Sequence, residues 1–112
     1  MESTRQQKIS RLLQRELADI FQKESRNLFQ GKMITVTIVR VTPDLAIARV
    51  YLSIFPSEGS SEVMENINEV NSKIRGLLGH KVGKQIRIIP ELHFYIDDSL
   101  DYIEHIDNLL KS

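Results

Sequence analysis

The stretch MITVTIVRVTPDLAIARVYLSIF, residues 33–55, decides the fold. Residues 33–41 are dense in β-branched side chains, and Ile34, Val36 and Ile38 alternate with Thr35 and Thr37 at the two-residue period of a half-buried strand. Thr42-Pro43-Asp44-Leu45 fits a type I turn, because the Pro43 ring presets φ at the second position. Residues 46–55 resume the alternation, with Ala46, Ala48, Val50, Leu52 and Ile54 on one face and Arg49 and Tyr51 on the other. A turn this short joins antiparallel neighbours, so the centre of the chain is a hairpin. Pro56 and the SEGSS stretch end it.

Upstream, residues 4–24 read as an amphipathic helix: Ile9, Leu12, Leu13, Leu17, Ile20 and Phe21 recur at spacings of three and four, with no Gly or Pro between them. Ser3 with Gln6, or Thr4 with Gln7, offers a capping-box start. At 3.6 residues per turn, Lys8, Arg11 and Arg15 fall within an arc of ~60° opposite the apolar stripe, with Arg5 just beside it. Residues 25–32 then form a loop with a glycine turn.

Downstream, Val63, Ile67, Val70, Ile74, Leu77 and Leu78 mark residues 61–82 as one helix or two nearly collinear ones. Asn71-Ser72 is the weakest step, because both side chains compete for the backbone. Residues 85–96 read as a third strand, which Pro90, lacking an N–H, confines to an edge or a bulge. Asp98-Ser99 then cap a short last helix with Leu100, Ile103, Ile106, Leu109 and Leu110 on its inner side. The order α-β-β-α-α-β with a C-terminal helix describes an α+β fold, a three-stranded sheet packed by helices, expected as a single domain over residues 1–112.

Composition narrows the function. Among 112 residues there is no Cys, which excludes disulfide scaffolds, thiolate zinc sites and cysteine nucleophiles. The opening MESTRQQK lacks the apolar core of a signal peptide, and no apolar run approaches the ~20 residues of a membrane span, so a cytoplasmic protein with no membrane partner is expected. Fifteen Lys and Arg balance fifteen Asp and Glu, yet the charges are segregated. Residues 70–96 carry five bases against one acid, and residues 97–112 carry five acids against one Lys.

Catalytic chemistry finds no support. His80, His93 and His105 are isolated from one another, without the paired spacing of a helical zinc site. No nucleophile elbow, Walker loop or dinucleotide fingerprint is present. Asp97, Asp98 and Asp101 make a poor divalent-ion site, because helix capping explains two of them at once. The expectation is no catalytic residue, no metal and no cofactor. Gly76-Leu77-Leu78-Gly79 matches GxxG, an element that clamps nucleic-acid backbone from an exposed loop. Its central pair is Leu-Leu, in phase with the buried stripe, which makes it the end of a core helix.

The hairpin segment TPDLAIARVYLSIF, the helical Ile74-Arg75-Gly76-Leu77-Leu78-Gly79 and the run RIIPELHFYIDDS at residues 87–99 together resemble the ribosome-binding factor A family of bacterial small-subunit assembly factors. The resemblance spans essentially the whole chain. Its most specific parts are Pro43-Asp44-Leu45 and Pro90-Glu91-Leu92-x-Phe94 with Asp97 and Ser99. It implies a type II KH-like fold and a non-enzymatic factor that binds 16S rRNA in the immature 30S subunit, supports late maturation and 16S processing, and matters most at low temperature. Assembly GTPases are further candidate partners, and a monomer is expected. The family interrupts its two central helices with an Ala-x-Gly element. The aligned Val70-Asn71-Ser72 departs from that pattern and lacks glycine's freedom.

Seven aromatics, most at positions that read as core, strand interior or the acidic last helix, supply a base-stacking sheet poorly. Phosphate and sugar contact with shape selection is the remaining handle. The expected RNA-binding residues are Arg5, Lys8, Arg11 and Arg15 on the first helix, with Lys73, Arg75, Lys81, Lys84 and Arg87 from the central helix and the segment after it. Arg75 could instead pair with Glu69 or Glu91. Two other readings compete: a protein-interaction or dimerisation module pairing through an edge strand, and a small ferredoxin-like enzyme or metabolite sensor.

Overall fold

The computed structural model describes residues 3–97; the expected last helix lies outside the described residues. Six elements follow in order: α1 (Thr4–Leu28), β1 (Met33–Val41), β2 (Ile47–Phe55), α2 (Ser60–Glu69), α3 (Asn71–Val82) and β3 (Glu91–Ile96). They form an α+β fold with a three-stranded sheet in the order β1-β2-β3. The hairpin strands pair antiparallel, and β3 returns parallel to β2 after the two-helix crossover.

Helix α1 starts where a capping box closes it. The Ser3 hydroxyl accepts from the Gln6 N–H at 3.1 Å, and the Ser3 N–H donates to Gln6 Oε1 at 2.8 Å. The Gln6 side-chain nitrogen then donates to the Val41 carbonyl at 2.8 Å, tying the helix start to the end of β1. The helix runs four residues past the expected end, through Leu28. The reason is packing: Leu28 lies against the core and Phe29 is fully buried, its ring 5.2 Å from that of Phe21. Gln30 and Gly31 then turn the chain, both at positive φ.

Strand β1 departs from simple alternation. Val36 pairs with Leu52 and Ile38 with Tyr51, leaving Thr37 as the extra residue of a β-bulge. The bulge reverses the phase of everything after it. Ile34 and Val36 face the core as expected, but Ile38 is 41% exposed while Val39 and Val41 are buried. Of the inward set expected for the second strand, Ala48, Val50, Leu52 and Ile54 are buried, whereas Ala46 is exposed because it precedes β2 and belongs to the turn. The connecting turn closes with Leu45 N–H on the Thr42 carbonyl at 2.8 Å, and Leu45 takes φ 62°, the left-handed step that a type I turn uses to rejoin a strand.

The central helical stretch divides in two at Val70 (φ −98°, ψ 15°), one residue before the step expected to be weakest. Asn71 does not compete for its own helix backbone. Its side-chain nitrogen donates to the Leu92 carbonyl of β3 at 2.9 Å. The Gly76–Gly79 segment lies inside α3 with Leu78 fully buried, as the apolar phase required.

Strand β3 begins at Glu91, six residues later than the expected start at residue 85. Residues 85–90 look like a strand by composition, but Pro90 offers no N–H, and the ladder starts with Glu91 N–H on the Ala46 carbonyl at 2.8 Å. Ile86 and Ile89 rest against the core, while Ile88 is exposed. β3 is an edge strand, as Pro90 implied. The helices cover one face of the sheet, and Leu13, Leu17, Phe21, Leu52, Ile67, Ile74 and Leu78 form the centre of that core.

Candidate nucleic-acid interface

The amphipathic design of α1 fixes its polar side. With Ile9, Leu13, Leu17 and Ile20 buried, Arg5, Lys8, Arg11 and Arg15 stand in solvent on the opposite stripe. The segment after α3 runs beside this stripe. Lys8, Arg11 and Arg15 share one groove with Gln85 and Ile86. Arg5 and Lys8 share an adjoining groove with Ile86, Arg87 and the Pro43–Ala46 turn. Five cations drawn from opposite ends of the sequence therefore line one continuous strip.

Their availability differs little. Arg5, Lys8, Arg11 and Arg87 form no ion pair among the described residues, and Arg15 touches only its neighbour Glu16 at 3.2 Å while its side chain stays 72% exposed. A second carboxylate, Asp44, lines the groove that holds Arg5 and Lys8. Asp44 accepts from the Thr42 hydroxyl at 2.6 Å and from the Ala46 N–H at 3.1 Å. These two bonds, the hydroxyl first, hold its carboxyl below the ordinary carboxylate range. Both bonds fall on Oδ1 and serve the turn.

The remaining four expected residues separate from this strip in different ways. Lys81 bridges α3 to α1, forming an ion pair with Asp19 and lying 3.7 Å from Glu16. Arg75 pairs with neither Glu69 nor Glu91. Its Nε donates to the Pro90 carbonyl at 3.1 Å and its Nη2 to the Ile89 carbonyl at 2.6 Å, so the guanidinium holds the chain leading into β3. A groove between α3 and β3, lined by Asn71, Ser72, Arg75, Gly76, Gly79 and Leu92 among others, runs past it. Lys73 and Lys84 are exposed, with no ion pair among the described residues.

The sequence reading of the aromatics needs correction. Phe21, Phe29 and Phe94 are buried, but Tyr51, Tyr95 and Phe55 stand on the sheet face that no helix among the described residues covers. Arg40 and Arg49, absent from the expected set, stand on that face with them. The overlooked signal is the adjacent apolar pair Ile38-Val39, which marks the phase change that exposes Ile38 and Arg40.

Among the described residues no three His, Asp or Glu side chains converge on a point that could hold a metal ion. No helix among them is long and apolar enough to cross a membrane.

Comparison with known proteins places these observations in a family. A family model described as ribosome-binding factor A matches residues 5–110. The protein of that name from Cytophaga hutchinsonii is 49% identical over 111 residues, covering 99% of this chain and 84% of its own length. Among solved structures, the crystal structure of ribosome-binding factor A from Thermus thermophilus superposes with a TM-score of 0.68 at 22% identity, covering 81% of this chain and 94% of that one. A homology model of the Thermus thermophilus factor, fitted into a cryo-EM map of its complex with the 30S subunit, gives a TM-score of 0.60 at 27% identity, over 78% of this chain and 89% of that one.

Proposed function

The chain belongs to the ribosome-binding factor A family, and from that membership we propose that it is a non-enzymatic, cytoplasmic assembly factor that binds 16S rRNA in the immature 30S subunit. It acts as a monomer, one KH-like domain over residues 1–112, and supports late maturation and 16S processing. The observation that carries this reading is the strip of exposed cations Arg5, Lys8, Arg11, Arg15 and Arg87 along the two adjoining grooves. A phosphate backbone laid against them meets positive charge from α1 on one side and from residues 85–88 on the other. Lys84 precedes that segment directly and adds to the same field, Arg75 lines the groove between α3 and β3, and Lys73 adds an exposed charge on α3.

The test is a triple charge reversal, K8E/R11E/R15E, assayed by sedimentation with purified 30S subunits, 70S ribosomes and immature small-subunit particles. The unaltered chain co-sediments with free and immature small subunits and is absent from 70S ribosomes. The variant keeps its circular-dichroism spectrum and melting temperature, because all three side chains are in solvent. It loses most of its association, with the dependence of log affinity on log salt shallower by about three. Undiminished association would remove α1 from the interface.

A further inference from the structure

The face of the sheet opposite the helices is open among the described residues, and its composition is unusual for a solvent face. Ile38 pairs with Tyr51 and Tyr51 with Tyr95, forming one row across all three strands. Arg40 pairs with Arg49 and Arg49 with His93, forming the next row. The two rows lie two residues apart along the strands, about 7 Å. The Tyr51 and Tyr95 rings are stacked on each other, centroids 5.4 Å apart and planes inclined by 29°. Tyr95 is 42% exposed. Like charges directly opposite each other in a sheet repel, and neither Arg40 nor Arg49 has a carboxylate partner among the described residues. Their juxtaposition becomes favourable when an anion bridges them.

We propose that this face is a second RNA contact, specific for unpaired nucleotides: bases stack on the Tyr51–Tyr95 platform while Arg40 and Arg49 hold the adjoining phosphates. The proposal rests on the reading of the chain as an rRNA-binding factor and adds to it a site on the other side of the sheet from α1. An aromatic row beside a cationic row is what sequence-tolerant binding of a single strand requires, since every base offers a π face and every linkage a charge. The Tyr51 backbone is firmly set. It sits on the central strand, and its carbonyl lies 3.2 Å from the Thr37 hydroxyl at the bulge.

The experiment uses the full chain and a ten-nucleotide oligoadenylate. Affinity is read in every variant from the anisotropy of an end-labelled oligonucleotide. In chains that keep Tyr51 and Tyr95, with three Tyr and no Trp in the sequence, ring stacking also reads out as quenching of tyrosine fluorescence. Y51F/Y95F keeps the affinity of the unaltered chain. Y51L/Y95L, which keeps apolar bulk suited to a strand and loses the π face, binds at least about tenfold more weakly. R40E/R49E loses binding with its fold intact, and K8E/R11E/R15E retains tyrosine quenching by the oligonucleotide. Equal affinity of Y51L/Y95L and the unaltered chain overturns the proposal. So does a failure of the unaltered chain to bind the oligonucleotide, or self-association through this face in sedimentation. If the family-based reading is what fails, the unaltered chain ignores 30S particles altogether. If only the sheet site fails, 30S association persists at full strength in both tyrosine and arginine variants.

Discussion

The side-chain nitrogen of Gln14 donates to the Thr37 carbonyl at 3.1 Å, and to that of Val36 at the same distance. A bulge withdraws carbonyls from the ladder, and an acceptor left without a partner costs about 1–3 kcal/mol. Gln14 reaches from α1 to supply the missing donor. Gln14→Leu is therefore expected to lower the unfolding free energy by about 1–3 kcal/mol, read as a reduced urea midpoint at unchanged slope. An unchanged midpoint would mean that water satisfies the bulge equally well.

That bulge also marks where the sequence stopped being legible. The helices, the hairpin and its turn follow from periodicity, because 3.6- and 2-residue patterns report directly on which side is buried. A single inserted residue leaves such a pattern locally intact and shifts it by one, so Ile38 read as core and Arg40 attracted no attention. The start of β3 failed for a different reason. Ile86, Ile88 and Ile89 have strand-like chemistry, and only the hydrogen-bond requirement at Pro90 decides that they precede the ladder. The cationic strip was legible on α1, where one helix sets the arc. The position of Arg87 beside it depends on how residues 83–90 return along α1, a tertiary fact. So does the diversion of Lys81 into an ion pair.

The Lys81–Asp19 pair gives stability a defined pH window. Hydrogen bonding to Lys81, and secondarily to Lys23, holds the Asp19 carboxyl below its unperturbed 3.8. A depressed carboxyl contributes stability that is present above 3.8 and disappears as pH falls through the lower folded value. Hydrogen bonding to Asp19 holds the Lys81 ammonium above 10.5, so its contribution is present below 10.5 and disappears as pH rises through the higher folded value. In D19N/K81M, melting temperature against pH is expected to be flatter than in the unaltered chain at both extremes, with the difference largest between these limits. Identical profiles would show that the pair adds nothing to stability.

Arg75 is expected to behave as a structural residue. Its two bonds to the Ile89 and Pro90 carbonyls hold the chain leading into β3, and a charged donor contributes more than a neutral one. Arg75→Met should reduce stability by about 1–2 kcal/mol in urea unfolding. Hydrogen exchange should accelerate at Glu91 and Leu92 before it does in the hairpin. Uniform exchange across the sheet would deny this local role.

Gln30 occupies the left-handed region at φ 57°, just beyond the end of α1, with its side chain exposed. A residue with a Cβ is disfavoured there by about 1 kcal/mol or more, and glycine is not. Gln30→Gly is expected to raise the unfolding free energy by up to about 1 kcal/mol, because the relief of strain in the folded chain exceeds the added freedom of the unfolded one. A loss of stability would show that the Gln30 side chain makes a favourable contact at the turn.

Salt dependence separates the cations that bind from those that build. If about six phosphates are neutralised by the five cations of the strip and Lys84, affinity for immature small subunits should fall by ~10³-fold between 50 and 200 mM salt. Arg87→Met removes one exposed charge from the strip, so the slope of log affinity against log salt should become shallower by about one. Lys81→Met removes a charge that Asp19 and Glu16 already neutralise within the protein, so the slope should stay as it is while the melting temperature drops. The two substitutions change the formal charge equally, which makes the comparison independent of net charge. Equal slopes for both would mean that affinity follows the overall field of the molecule and owes nothing to the strip where Arg87 meets α1.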